Sequence, residues 1–92
     1  MIKDKHIAIT GILGFYRRLE AFAAILDRGG IPQEDVTLKT DYLVVGYYHQ
    51  NVLRGEKSRK HLLAEQYKDK GRRIQIIHEE EFLRMLWSSP LV

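Results

Sequence analysis

The chain contains no cysteine. Disulfides, thiol nucleophiles and thiolate metal sites are therefore excluded, and the composition fits a reducing compartment. Long hydrophobic runs are also missing, since nothing approaches the roughly 18 apolar residues of a membrane-spanning helix. The opening Met1-Ile2-Lys3-Asp4-Lys5 has neither an apolar h-region nor a cleavage site, so no signal peptide is expected. A cytoplasmic location follows as the expectation, nucleoid-associated if the source is bacterial. No internal repeat or low-complexity segment interrupts the chain. No nucleophile elbow, Walker A loop or Gly-x-Gly-x-x-Gly is present. The histidines His6, His49, His61 and His78 show no metal-ligand spacing with Asp or Glu. Catalytic residues, a metal, a cofactor and a small-molecule substrate are accordingly not expected.

What is present is an ordinary globular composition in 92 residues, 45% hydrophobic and 29% charged. That is enough for one core and one domain. The net charge of +3 is unevenly spread. Residues 54–73 hold eight Lys/Arg (Arg54, Lys57, Arg59, Lys60, Lys68, Lys70, Arg72, Arg73) against three acids (Glu56, Glu65, Asp69), net +5. The rest of the chain holds seven basic and nine acidic side chains, net −2. A basic segment on a slightly acidic domain suits a surface that meets phosphates, although a solvated helix face would look the same.

Periodicity predicts the order β-α-β-β-α-β-α. Ile7 to Thr10 reads as a buried strand. Leu19, Phe22, Ala23 and Leu26 fall at i, i+3, i+4 and i+7 within a helix from Phe15 to Arg28, closed by Gly29-Gly30 and Pro32. A weak second strand is expected at Asp35 to Thr37 and a strong third at Tyr42 to Val45. A loop covers Tyr47 to Gly55. A helix then spans about Lys57 to Lys70, with Leu63, Ala64 and Tyr67 on its core face. Ile74 to Ile77 gives the fourth strand. A last helix opens at Glu79-Glu80-Glu81, where three acids complement the dipole, and packs Phe82, Leu83 and Leu86. Residues 88–92 are expected to fray. Alternating strands and helices imply a parallel sheet, but about four residues between strands two and three would equally suit an antiparallel hairpin.

The end of the first strand carries chemistry. Thr10-Gly11 places a hydroxyl and backbone N–H groups above a strand end, which is how folds cradle phosphate. Read alone, Thr10 is as readily a turn residue and Gly11 a turn glycine.

These segments together resemble a BRCT domain across residues 5 to 87. The matching motifs are Thr10-Gly11-x-Leu13, Gly29-Gly30, Lys39-Thr40-Asp41-Tyr42-Leu43-Val44-Val45-Gly46, Ser58-x-Lys60, and Ile76-Ile77-x-Glu79-Glu80-Glu81-Phe82-Leu83. The chain is similar to the BRCT domains of bacterial NAD-dependent DNA ligases and of DNA polymerase III epsilon-like exonucleases. The resemblance implies a four-stranded parallel sheet in order 2-1-3-4, with helices one and three on one face and helix two on the other.

It further implies a phosphate pocket formed by Thr10, Gly11, Arg18 and Lys60, with Arg17, Lys57 and Arg59 as secondary basic contacts. A hydroxyl and a backbone N–H give directional donors, Lys a compact charge and Arg a planar fork. The partner so implied is a 5′-phosphorylated DNA end. Alternatives are a replication or repair protein, read through a phosphorylated residue, or a place as the BRCT part of a larger exonuclease or ligase. Some features depart from the family pattern. His78 stands where a Ser or Asp cap is usual, Phe82 where Trp is frequent, and Trp87 lies five residues later. Phe15 and Tyr16 fall beside the pocket, where they pack or stack, and Tyr47-Tyr48-His49 forms a second aromatic cluster.

Overall fold

A computed structural model describes residues 2–47 and 57–92. Its elements are β1 (His6–Thr10), α1 (Arg18–Asp27), β2 (Ile31–Gln33), β3 (Tyr42–Val45), α2 (Arg59–Asp69), β4 (Gln75–His78) and α3 (Glu79–Ser88). The four strands form one sheet in the order β2-β1-β3-β4, and each neighbouring pair is parallel. Central β1 pairs Ile7 to Thr10 with Tyr42 to Val45 of β3.

Strand alternation divides the core in two. On one face Ile7, Ile9, Val44 and Ile77 meet Ala21, Ala24 and Ile25 of α1 and Phe82 and Leu86 of α3. On the other, Ala8, Leu43 and Val45 meet Ala64 of α2, together with Val36 and Ile74. Helices α1 and α3 therefore share a face and α2 covers the opposite one, as the resemblance implied.

The second strand lies upstream of its expected place, at Ile31–Gln33 rather than Asp35 to Thr37. Buried Val36 mimics a strand residue but packs into the second core from a loop. The shift lengthens the connection to residues 34–41 and removes the case for a hairpin, because β2 and β3 both flank β1. Side chains of the Lys39-Thr40-Asp41 motif organise this connection. The Thr40 hydroxyl donates to Gln33 Oε1 at 2.5 Å and accepts from the Thr37 amide at 2.8 Å. Asp41 Oδ2 accepts from the His6 amide at 2.7 Å, tying the motif to the start of β1.

The buried face of α1 also differs from the periodic stripe. Ala21, Ala24 and Ile25 face the sheet, while Leu19 and Leu26 remain 77% and 58% exposed. Alanine lets the helix approach closely. At the following turn, a Cβ on Gly30 would sit 2.6 Å from Ile25 Cγ2 and 2.7 Å from Ile2 Cγ2. The packing there leaves room for glycine alone.

Nor do residues 88–92 hang free. Ser88 closes α3, and buried Ser89 accepts a hydrogen bond from the Ile2 amide at 3.0 Å and donates to the Met85 carbonyl at 2.7 Å. The Val92 amide reaches the Asp27 carbonyl at 2.9 Å. These bonds fasten the C-terminal residues to both α1 and the start of the chain.

Candidate phosphate-binding site

The C-terminal end of β1 collects the residues picked out in the sequence. Thr10 is the last residue of β1, and Gly11 follows in a left-handed backbone conformation. Glycine adopts that conformation without steric cost. The loop then leads to Arg17 at the N-cap of α1 and Arg18 at its first position. Across the sheet end, Ser58 caps α2 by accepting from the His61 amide at 3.1 Å, and Arg59 and Lys60 open that helix.

Arg18 and Lys60 line one cleft of about 230 Å³, together with Leu19, Phe22 and Glu34. Their charges interact. Burial first, and the Arg18 guanidinium second, push the Lys60 ammonium below its ordinary value. Each cation rests on a backbone carbonyl at the strand end. Lys60 Nζ donates to Ile9 O at 3.1 Å, and Arg18 donates through Nη2 to Gly11 O at 2.8 Å. One bond leaves donor capacity on both, since an ammonium has three N–H groups and a guanidinium five.

Two cationic residues therefore stand at the start of each helix, Arg17-Arg18 on α1 and Arg59-Lys60 on α2. That is the wrong sign for the positive end of a helix dipole, an arrangement worth about 0.3–1 kcal/mol per charge against the fold.

The remaining candidates are placed differently. Thr10 is buried, and its hydroxyl donates to Ser58 Oγ at 2.6 Å, so it braces the α2 cap. Lys57 pairs with Glu65 at 2.6 Å and Arg59 with Asp35 at 2.5 Å. The side-chain bond from Lys57 is the main force lowering the Glu65 carboxyl, and that from Arg59 does the same for Asp35. Much of the basic segment is thus locally neutralised. Arg17 uses its backbone amide to donate to Glu20 Oε1 at 2.8 Å, and its guanidinium pairs with no acid among the described residues. Of the Tyr47-Tyr48-His49 cluster only Tyr47 is described; it bridges Ile12, and Tyr48 and His49 lie outside the described residues, as does Arg54.

Sequence reading missed one contributor. Glu79, taken there as a dipole-compensating surface acid, accepts from the Gly14 amide at 2.8 Å and the Phe15 amide at 2.9 Å. The carboxylate thus occupies the amide pair of the β1–α1 loop. Only tertiary structure brings residues 65 positions apart together, so no local signal announces this contact. Among the described residues, no group of three or more His, Cys, Asp or Glu is arranged to hold a metal ion. No helix there is long and apolar enough to cross a membrane.

His61, behind the α2 cap, is titratable and poorly solvated. Burial pushes its imidazole below the ordinary value of 6.5. The unfolded chain therefore binds this proton at higher pH than the fold does. Stability from neutral His61 is complete above about pH 6.5 and falls as pH descends through the depressed native value. Urea midpoints should drop between about pH 7.5 and about pH 5.5, and His61→Gln should flatten that drop. An unchanged slope in the variant would remove His61 from the acid response.

Comparison with protein-family profiles and with curated protein sequences gave no match.

Proposed function

We propose that this chain is a BRCT domain serving as a non-catalytic phosphate-binding module, and that its ligand is the 5′-phosphate of a DNA end. The observation that carries the reading is the convergence of Arg18 and Lys60 in one cleft, with each side chain donating to a carbonyl at the C-terminal end of β1, Gly11 O and Ile9 O. The sheet order and the division of helices between its faces are those the resemblance implies. Arg18 and Lys60, each in the first turn of a helix, supply positive charge for an anion.

In this reading Lys60 and Arg18 redirect donors from Ile9 O and Gly11 O toward phosphate oxygens. Thr10 and Ser58 exchange their mutual hydrogen bond for one to the ligand. Exposed Leu19 in the cleft wall and Leu26 farther along α1 favour a second reading, in which the domain docks a replication or repair protein through a phosphorylated residue. Either ligand is compatible with a place inside a larger exonuclease or ligase.

A labelled duplex with or without a 5′-phosphate, titrated at two salt concentrations, tests the choice. The DNA reading expects tighter binding of the phosphorylated end and an affinity that falls steeply with salt. Equal, weak binding of both duplexes would transfer the site to a protein ligand.

A further inference from the structure

We propose that the aromatic shelf formed by Phe15, Tyr16 and Trp87 is a stacking site for an unpaired base on the phosphate-bearing strand. The proposal rests on the phosphate reading above and names the part of the ligand next to the phosphate.

Phe15 and Trp87 are 62% and 53% exposed. They are nonetheless fixed. Phe15 meets Trp87 edge to face with centroids 5.1 Å apart, and Tyr16 likewise at 4.8 Å. Trp87 Nε1 donates to Tyr16 Oη at 3.2 Å. That bond satisfies the polar handle of the indole and leaves its ring surface apolar. The Glu79 carboxylate holds the Phe15 amide from below, so the ring stands on an anchored loop. Preorganisation of this kind lowers the entropy lost on binding.

Phe15 and Tyr16 of the shelf line a concavity that shares Arg18 with the proposed phosphate cleft. This concavity, of about 480 Å³, runs from Gly11 through Phe15 and Tyr16 to Arg18. Its volume falls within the range of small-ligand sites, about 300–1,000 Å³. The positions of the charges narrow the occupant. The acid lining this concavity, Glu20, is engaged by the Arg17 amide, and Glu79 beside it by the Gly14 and Phe15 amides. The Arg17 and Arg18 side chains lie along the same wall. Flat apolar rings beside two guanidinium groups complement a ligand that is planar at one point and anionic at the next. An unpaired nucleotide has that form, and stacking on aromatic side chains tolerates any base.

The test uses the sole tryptophan, Trp87, as reporter. Single-stranded oligonucleotides carry a 5′-phosphate or a 5′-hydroxyl, with adenosine or an abasic residue at the first position. The adenosine strand should quench Trp87 emission and bind about tenfold more tightly than its abasic counterpart. Phe15→Ala, at an exposed loop position, should erase most of that gain while the preference for phosphate over hydroxyl persists. Trp87→Leu, followed by anisotropy of a labelled strand, should do the same. Equal affinity and equal emission for adenosine and abasic strands would overturn the proposal. So would a phosphothreonine peptide that quenches Trp87 as strongly as the adenosine strand, since the shelf would then belong to a protein partner. If phosphate and hydroxyl strands bind alike while adenosine still outbinds the abasic residue, the shelf stands and the phosphate reading falls.

Discussion

Phe82→Ala is expected to destabilise the domain by about 3–5 kcal/mol, the range for emptying a buried aromatic site. Phe82 is fully buried where α3 meets Ile7, Ile9 and Val44 of the sheet and Ile25 of α1. Its removal would open a cavity shared by three elements that cannot all relax inward at once. Against a typical reserve of about 5–15 kcal/mol, that loss would bring the fold close to the edge of stability. In thermal terms the midpoint should fall by roughly 15–30 °C for a domain of this size. Leu26→Ala supplies the contrast, because its side chain is largely exposed. Such a surface change should alter stability by less than about 0.5 kcal/mol. Urea unfolding followed by far-UV circular dichroism measures both. A large loss at Leu26 or a negligible one at Phe82 would mean that a different face of the helical layer is buried.

That contrast also marks where the sequence was legible. Strands β1, β3 and β4 are short apolar runs carrying β-branched residues, and such runs declare themselves wherever they lie in the sheet. Strand β2 does not, because Ile31-Pro32-Gln33 is no such run: it holds a proline, tolerated at an edge, and its burial is incomplete. In α1 the periodic signal is genuine but has two solutions. Leu19, Phe22, Ala23 and Leu26 make a larger apolar stripe than Ala21, Ala24 and Ile25. Yet the sheet accepts the smaller residues, because they allow close approach, with Gly30 following at the turn. Hydrophobicity alone cannot rank two apolar faces of one helix.

The site divides along the same line. Thr10, Gly11, Arg18 and Lys60, named from the family resemblance, are local to a strand end or a helix start, and the fold brings them to the C-terminal end of β1. Partners separated by long stretches of chain could not be named in that way. Nothing in the sequence announces that Thr10 would brace Ser58 or that Asp35 would draw off Arg59. The capture of the loop amides by Glu79 is equally silent. Each depends on register between elements, which composition and periodicity do not encode. The consequence for the electrostatics is concrete. Arg59 and Lys57 counted equally with Lys60 in the basic segment, whereas the fold neutralises the first two and leaves the third beside Arg18.

Lys60→Ala is accordingly expected to abolish the preference for a 5′-phosphorylated DNA end and to weaken its binding about 10–100-fold. A hydrogen bond to a charged group contributes about 1.5–3 kcal/mol, and each 1.4 kcal/mol is a factor of about ten. The plot of log affinity against log salt should flatten by about one unit, the signature of one lost phosphate contact. Lys57→Ala should leave the preference in place, because that ammonium already pairs with Glu65. The same geometry gives a pH dependence. Burial and Arg18 depress the Lys60 ammonium, so the charge proposed to hold the phosphate disappears at lower pH than for a solvated lysine. Phosphate-dependent binding should therefore weaken in alkaline solution before an ordinary lysine would lose its proton, and Lys60→Arg should move that loss beyond the measurable range. Should Lys60→Ala bind phosphorylated and dephosphorylated ends with the wild-type ratio, the anion sits elsewhere. The cation pair above β1 would then be a property of the fold rather than of its ligand.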